Sequence, residues 1–246
     1  MITKVQNTSS NTEQNGGTAT LTATQTFSGT PVPGNAVIVM VSFETNFAPQ
    51  TVTGVTDNQT GNTYSLVKRQ ADNTAGDGDA VECWWCPSLV TASGTFTVTV
   101  TYTVSGTVTN QNGTIVNLIE VSGLAGTTDA SGIAGGNLGG TGTTITVSGS
   151  GNNASANAFE VGMCAVNYNT TTITNPPSGW NTVYVDSGAG RAQQGSYRIA
   201  SSVETTSATW SWTGTQGPSA LVATFDGISS GPIQPVILSR PPVISW

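Results

Sequence analysis

From Thr95 to Val104 the chain alternates without a break: Phe96, Val98, Val100, Tyr102 and Val104 are apolar, and threonine fills every position between them. Successive side chains of a strand point to opposite faces, so the segment predicts a β-strand with one buried and one wet face. Thr18 to Phe27 repeats the pattern with Ala19, Leu21, Ala23 and Phe27, and Thr209 to Thr213 is a shorter copy carrying Trp210 and Trp212. Three other segments are continuous apolar runs instead: Ala36 to Phe43, Ile115 to Val121 and Ala220 to Phe225. Such runs predict strands covered on both faces. Turn clusters separate them, among them residues 57–62 (Asp-Asn-Gln-Thr-Gly-Asn) and 175–179 (Asn-Pro-Pro-Ser-Gly). No window has helical periodicity.

The strands fall into two similar series. Leu21-Thr22 matches Ile145-Thr146, and Asn35-Ala36 before an apolar run matches Asn157-Ala158 before another. The turn segment ending in Tyr64 matches the one ending in Trp180, and Gly78 and Gly195 open similar strands. The threonine ladder at Thr95 pairs with Thr209, which sets Trp210 and Trp212 at the places of Val98 and Val100. Ser122-Gly123-Leu124 matches Asp226-Gly227-Ile228. The expectation is an all-β, large antiparallel β-sandwich, jelly-roll-like, built from two weakly similar halves of about six strands each. The halves are set at about 18–128 and 139–228, inside a sandwich spanning 18–228. No linker divides them, since the Gly-rich stretch from Gly132 to Gly142 reads as a loop; one body is preferred to two separate sandwiches.

Both ends fall outside that scheme, as extended N- and C-terminal arms. Residues 1–17 are a polar N-terminal arm of Asn, Ser, Thr, Gly and Gln. Residues 229–246 form a Pro-rich apolar C-terminal arm whose prolines forbid a helix or a central strand. It carries Ile233, Val236, Ile237, Leu238, Val243, Ile244 and Trp246. Side chains of this kind require cover, and the expected cover is a neighbouring subunit, so these residues are the candidate assembly contacts.

Composition narrows the function classes. Charged residues are 8% of the 246, against about a quarter in ordinary domains. Solubility therefore rests on hydroxyl and amide groups. The net charge is −7, and the six basic residues Lys4, Lys68, Arg69, Arg191, Arg198 and Arg240 form no stripe; nucleic-acid binding is not expected. Trypsin sites are correspondingly few. No stretch reaches the length of a membrane-spanning helix, and no membrane partner is expected. Met1 to Asn7 lack the apolar core of a secretory signal. The routes out of the cell are then a removed signal or release by lysis inside a virus particle.

Histidine is absent, which removes Ser-His-Asp and Cys-His catalysis and most zinc sites. No cofactor motif occurs. Glu44, Glu120 and Glu160 are the only carboxylates placed to make a glycosidase pair on a sandwich, and no two share a short motif. The chain is expected not to be an enzyme. Cys83-Trp84-Trp85-Cys86 has the spacing of a redox pair, but on a strand residues i and i+3 lie about 10 Å apart on opposite faces. A disulfide needs Cα atoms within about 7 Å. Packing is the expectation there, redox or metal binding the alternative. Cys164, the third cysteine, should be a free, mostly buried thiol. Asp72, Asp77 and Asp79 on a Gly-rich loop are calcium candidates, although the EF-hand pattern is missing. Asp57 and Asn62 are expected to make Asx turns. Trp84, Trp85, Trp180, Trp210 and Trp212 are either a sugar-stacking row or core, and core is expected.

Residues 55–64, Val-Thr-Asp-Asn-Gln-Thr-Gly-Asn-Thr-Tyr, resemble a motif common in uncharacterised Thr/Gly-rich β-sandwich proteins of bacteria and phages. In that group a strand ends in Thr-Asp and Gly-Asn-Thr-aromatic opens the next. Gly34-Asn35, the Trp-rich segment before Thr91, and residues 120–124 (Glu-Val-Ser-Gly-Leu) fit the same group. The likeness covers roughly residues 18–228. It implies the jelly-roll-like fold and a place on virion surfaces or secreted proteins, and it brings no catalytic residues. The function expected is a structural virion protein, a bacteriophage capsid decoration or cement subunit on the surface of the extracellular particle. Its expected partners are other copies of itself and a capsid or tail protein. The alternatives are a tail, fibre or collar component and a secreted carbohydrate-binding module that binds a glycan.

Overall fold

The computed structural model describes residues 1–13, 19–43, 51–71, 79–104, 113–138, 142–153, 156–167, 172–173, 176–186, 191–214 and 217–228. They form fifteen strands and no helix: β1 (Thr3–Glu13), β2 (Ala19–Thr26), β3 (Ala36–Phe43), β4 (Thr51–Asp57), β5 (Ser65–Ala71), β6 (Ala80–Cys86), β7 (Thr97–Val104), β8 (Gly113–Ser122), β9 (Leu124–Asn137), β10 (Thr144–Asn152), β11 (Phe159–Asn167), β12 (Asn181–Asp186), β13 (Arg191–Ile199), β14 (Thr205–Ser211) and β15 (Pro218–Gly227). Every pairing is antiparallel.

The first half has an inner sheet ordered β1-β8-β3-β6-β5 and an outer sheet β2-β7-β4. This is jelly-roll strand order, except that β5 joins β6 instead of closing the outer sheet beside β4. The second half repeats it: its inner sheet runs β9-β15-β11-β13-β12, and β10-β14 is its outer sheet. An isolated bridge between Ile173 and Trp212 stands where β4 stands in the first half.

Three buried clusters show how the sheets stack. Val37, Val39, Val41 and Phe43 of β3 meet Val98, Val100 and Tyr102 of β7 between the first inner and outer sheets. Ile145 and Val147 of β10 and Trp210 of β14 meet Cys164, Val166, Ala220 and Val222 in the second half. Between the halves, Ile38, Met40, Val81, Cys83, Trp85, Ile119 and Val121 pack on Phe159, Val161, Met163, Leu221, Ala223 and Phe225. The inner sheets are therefore back to back, and the molecule is four layers deep. This is why β3, β8 and β15 are apolar at successive positions while β2, β7 and β10 alternate: inner strands have two dry faces, outer strands one. On the wet faces hydroxyls pair across strands, as Thr26 with Thr97 at 2.8 Å, Thr146 with Thr209 at 2.8 Å and Ser148 with Ser207 at 2.7 Å.

The structure corrects several sequence expectations. Most of the expected N-terminal arm is a strand: β1 runs along β8 from Thr3 opposite Ser122 to Glu13 opposite Gly113. An edge strand with polar side chains on its free flank is stable and resists pairing with other chains. The Gly-rich stretch is only partly loop, because Gly132 to Asn137 complete β9. The repeats therefore begin at β1 and β9, with eight and seven strands rather than six each. The Asn35/Asn157 match is one residue out. Gly34 N–H donates to Leu89 C=O and Leu89 N–H to Asn35 C=O, both at 2.8 Å. The same pair of bonds, each 2.9 Å, runs from Asn157 N–H to Ala200 C=O and from Ala200 N–H to Ala158 C=O. Asn157 thus occupies the place of Gly34, and both have positive φ, 70° and 91°; asparagine is among the few side chains that tolerate that region. Gly195 lies inside β13 opposite Met163, the place of Cys83 opposite Met40, so it opens no strand. Trp210 faces Ile145 while Tyr102, not Val98, faces Leu21, so the matches Leu21/Ile145 and Val98/Trp210 do not both hold.

Candidate functional site

The sequence candidates resolve mostly into structure. Trp210, Trp212, Trp180 and Trp85 are buried, and Trp84 is half-buried with its indole N–H donating to Glu82 Oε2 at 2.8 Å. No exposed aromatic row exists among the described residues, so the sugar-stacking row is overturned for these five. Asp57 makes the expected Asx turn, accepting from Gln59 N–H at 2.9 Å, and its other oxygen accepts from Asn62 at 2.9 Å and Tyr64 O–H at 2.8 Å. Asn62 Oδ1 in turn takes the Val90 N–H at 2.8 Å.

Asp72 and Asp77 lie outside the described residues. Asp79 is buried where the halves meet, and its backbone carbonyl accepts from Ser219 Oγ at 3.0 Å. Among the described residues no three metal-ligating side chains converge. Glu44 and the C-terminal candidates Ile233, Val236, Ile237, Leu238, Val243, Ile244 and Trp246 also lie outside them, and no helix among them is long and apolar enough to cross a membrane.

The thiols behave as the strand geometry requires. Cys83 faces the core between the halves and Cys86 the core of the first half; both are buried and free, as is Cys164. Burial raises all three thiol pKa values, with the Asp79 charge adding to it at Cys164. Thiolate, the reactive form, is therefore scarce at neutral pH. A thiol reagent at about pH 8 should find no fast-reacting group in the native chain and all three once it is unfolded. A deficit after unfolding would reveal a disulfide and overturn the strand geometry at residues 83–86.

Three glutamates of the described residues are buried inside inner strands, each within its own set of donors. Glu120 accepts from Asn35 at 2.6 Å, Gln6 at 2.7 Å and the Val32 N–H at 2.8 Å. Glu82 accepts from Arg69 at 2.5 Å and the Val52 N–H at 3.1 Å, besides Trp84. Glu160 is ion-paired to Arg198 and accepts from Thr206 Oγ1 at 2.7 Å. Donors already fill these carboxylates, which makes them fold elements. The sequence reading missed Glu82, although a glutamate within Ala-Val-Glu-Cys-Trp is itself a sign of buried partners.

The concave feature that the sequence did not foreshadow is a groove of about 410 Å³ across the two halves. One wall is Ile2, Thr3 and Lys4 at the start of β1; the other is Gly179, Asn181, Tyr197, Arg198 and Ile199 from β12, β13 and the turn before β12. Tyr197 stacks on Phe159, centroids 5.5 Å apart and planes at 13°, and the Lys4 ammonium sits 5.5 Å from the Tyr197 ring centroid. Lys4 also donates to Asn7 Oδ1 at 2.8 Å. Arg198 lies 5.0 Å from the Trp180 ring and pairs with Glu204 at 3.5 Å in addition to Glu160. A second cavity of about 230 Å³, lined by Met1, Ile2, Asn157 and Ile228, adjoins it at Ile2.

Comparison with protein-family models, with curated proteins and with solved structures finds no match.

Proposed function

We propose that the chain is a structural virion protein, a phage capsid decoration or cement subunit that bridges neighbouring subunits through its C-terminal segment. A tail, fibre or collar position is the same reading at another place on the particle. The observation that carries it is where the last described strand, β15, ends. Ile228 is 63% exposed and lines one cavity with the exposed Met1. The seven large apolar side chains of residues 229–246 thus follow a residue on the surface rather than one in a core.

Burying two or three of them on a partner contributes about 4–8 kcal/mol. Ordering the segment opposes much of that, so attachment becomes strong when several copies act together. A chain lacking residues 229–246 should keep its melting temperature within about 2 °C, yet lose self-association in light scattering and particle binding. Loss of several degrees with normal assembly would mean that the segment patches its own domain, and the bridging reading would fail. Mass spectrometry of purified particles is the second check; a chain found in no particle sinks the virion assignment.

A further inference from the structure

We propose that the groove between the start of β1 and the β12–β13 edge binds a monoanionic sugar, a ring carrying one carboxylate among its hydroxyls. The inference is independent of the virion reading, since it concerns the described residues alone.

Its first support is place and size. The groove joins the two halves, and clefts between structural units are preferred ligand sites; its volume of about 410 Å³ falls within the usual range of about 300–1,000 Å³. It is open at the surface, so one or two residues of a longer glycan fit with both ends free.

Its second support is charge. Only six basic residues occur in a chain of net charge −7, and two of them, Lys4 and Arg198, line this groove. Arg198 is already matched by Glu160 and Glu204. Lys4 contacts Asn7 and the Tyr197 ring, and no carboxylate of the described residues lies within ion-pair distance of it. The groove thus offers one uncompensated ammonium. A single carboxylate matches it, whereas a polyanion would be repelled by the acidic remainder of the chain. An ammonium also binds as a compact point charge, without the planar fork that selects phosphate or paired carboxylates. Of its three donors, Asn7 takes one.

The third support is the shape of what remains. Tyr197 is covered by Phe159 on one side and by Lys4 on the other, so stacking on that ring is not the mode of binding. A ligand instead lies against the exposed Ile199 on the rim, with the exposed Thr3 hydroxyl and Asn181 amide placed for sugar hydroxyls. Because Asn7 and Tyr197 already hold the Lys4 side chain, less rotamer freedom is lost on binding.

The rival explanation is that Lys4 merely clamps β1 to the second half. A pair of probes separates the two: galacturonic acid and galactose differ by one carboxylate in place of a hydroxymethyl group. In NMR titrations of the full chain, galacturonate should shift the amides of Lys4, Asn181 and Tyr197 saturably, and galactose should bind at least about tenfold more weakly. The preference should fade in about 0.5 M salt, as expected of an exposed charge pair. Lys4→Met, which keeps the stem on Tyr197, should abolish the preference without moving the melting temperature. Asn181→Ala should weaken both sugars alike. Equal binding of the two sugars, saturable shifts only elsewhere, no saturable shift with either, or a preference that survives Lys4→Met would each overturn the proposal.

Discussion

A Val161→Asp variant should be largely unfolded at pH 7 and recover much of its stability near pH 4. Val161 is fully buried in the core between the inner sheets, paired in register with Tyr197 and Ala223. An ionised carboxyl there has no partner within that apolar cluster, and burial of this kind raises a carboxyl pKa by roughly 3–5 units. At about 1.4 kcal/mol per unit, ionisation costs about 4–7 kcal/mol, comparable with the whole stability of a typical domain. The sign follows from the raised folded-state pKa. The penalty is absent below the unfolded value of about 3.9, grows as pH rises past it, and is complete above the folded value.

Val161→Asn, similar in size but uncharged, should carry a penalty independent of pH, so the gap between Asp and Asn isolates ionisation. Urea unfolding of both variants at the two pH values measures that gap. Since the core belongs to both halves, tryptophans of the first half (Trp84, Trp85) and of the second (Trp180, Trp210, Trp212) should report one shared transition. A gap that does not change with pH, or an Asp variant as stable as the native chain, would mean that the inner sheets do not meet in a dry interface.

That interface explains what the sequence made legible. An alternating strand declares one dry face, and the ladder at residues 95–104 did so at each of its described apolar side chains: Phe96, Val98, Val100 and Tyr102 are all buried. A continuous apolar run declares two dry faces, and β3, β8 and β15 are the strands that sit between layers. What such a run does not declare is register. With no polar residue to mark a face, a shift of one position costs nothing in pattern, and the Asn35/Asn157 match slipped by that one residue. Only the backbone bonds of the turns, with Gly34 and Asn157 both at positive φ, fix the alignment.

The polar strands were illegible for a different reason. β1 has almost no apolar residues, β9 is rich in glycine, and each is stable because a long inner neighbour, β8 or β15, supplies its ladder. Tertiary pairing therefore overrides local preference. The groove was hidden with them, because Lys4 belonged to a segment set outside the fold and its ring partner Tyr197 lies in the other half.

Removing the Glu160 carboxylate should cost about 3 kcal/mol, the largest loss expected from neutralising a single charged side chain in the second half. Glu160 is fully buried on β11, while Arg198, opposite it in register on β13, is 18% exposed. Thr206 Oγ1 donates to the carboxylate at 2.7 Å and accepts from Thr224 Oγ1 at the same distance. One oxygen thus anchors a polar chain from β11 through β14 to β15. In Glu160→Gln the shape survives, but an amide replaces the anion beside Arg198, and the guanidinium loses its closest counter-charge. Its partial exposure and the remaining contact with Glu204 hold the cost to the lower part of the range of about 3–5 kcal/mol for a broken buried pair. Arg198→Met alone should cost a similar amount, because it leaves the carboxylate buried without its cation. The double variant Glu160→Gln with Arg198→Met removes both charges and should lose much less than the sum, by at least about 1.5 kcal/mol, since no unpaired charge remains. Denaturant midpoints of the four proteins give the coupling. Additive losses would show that the two side chains do not act as a pair, and a single-variant cost below about 1 kcal/mol would place Glu160 in contact with water.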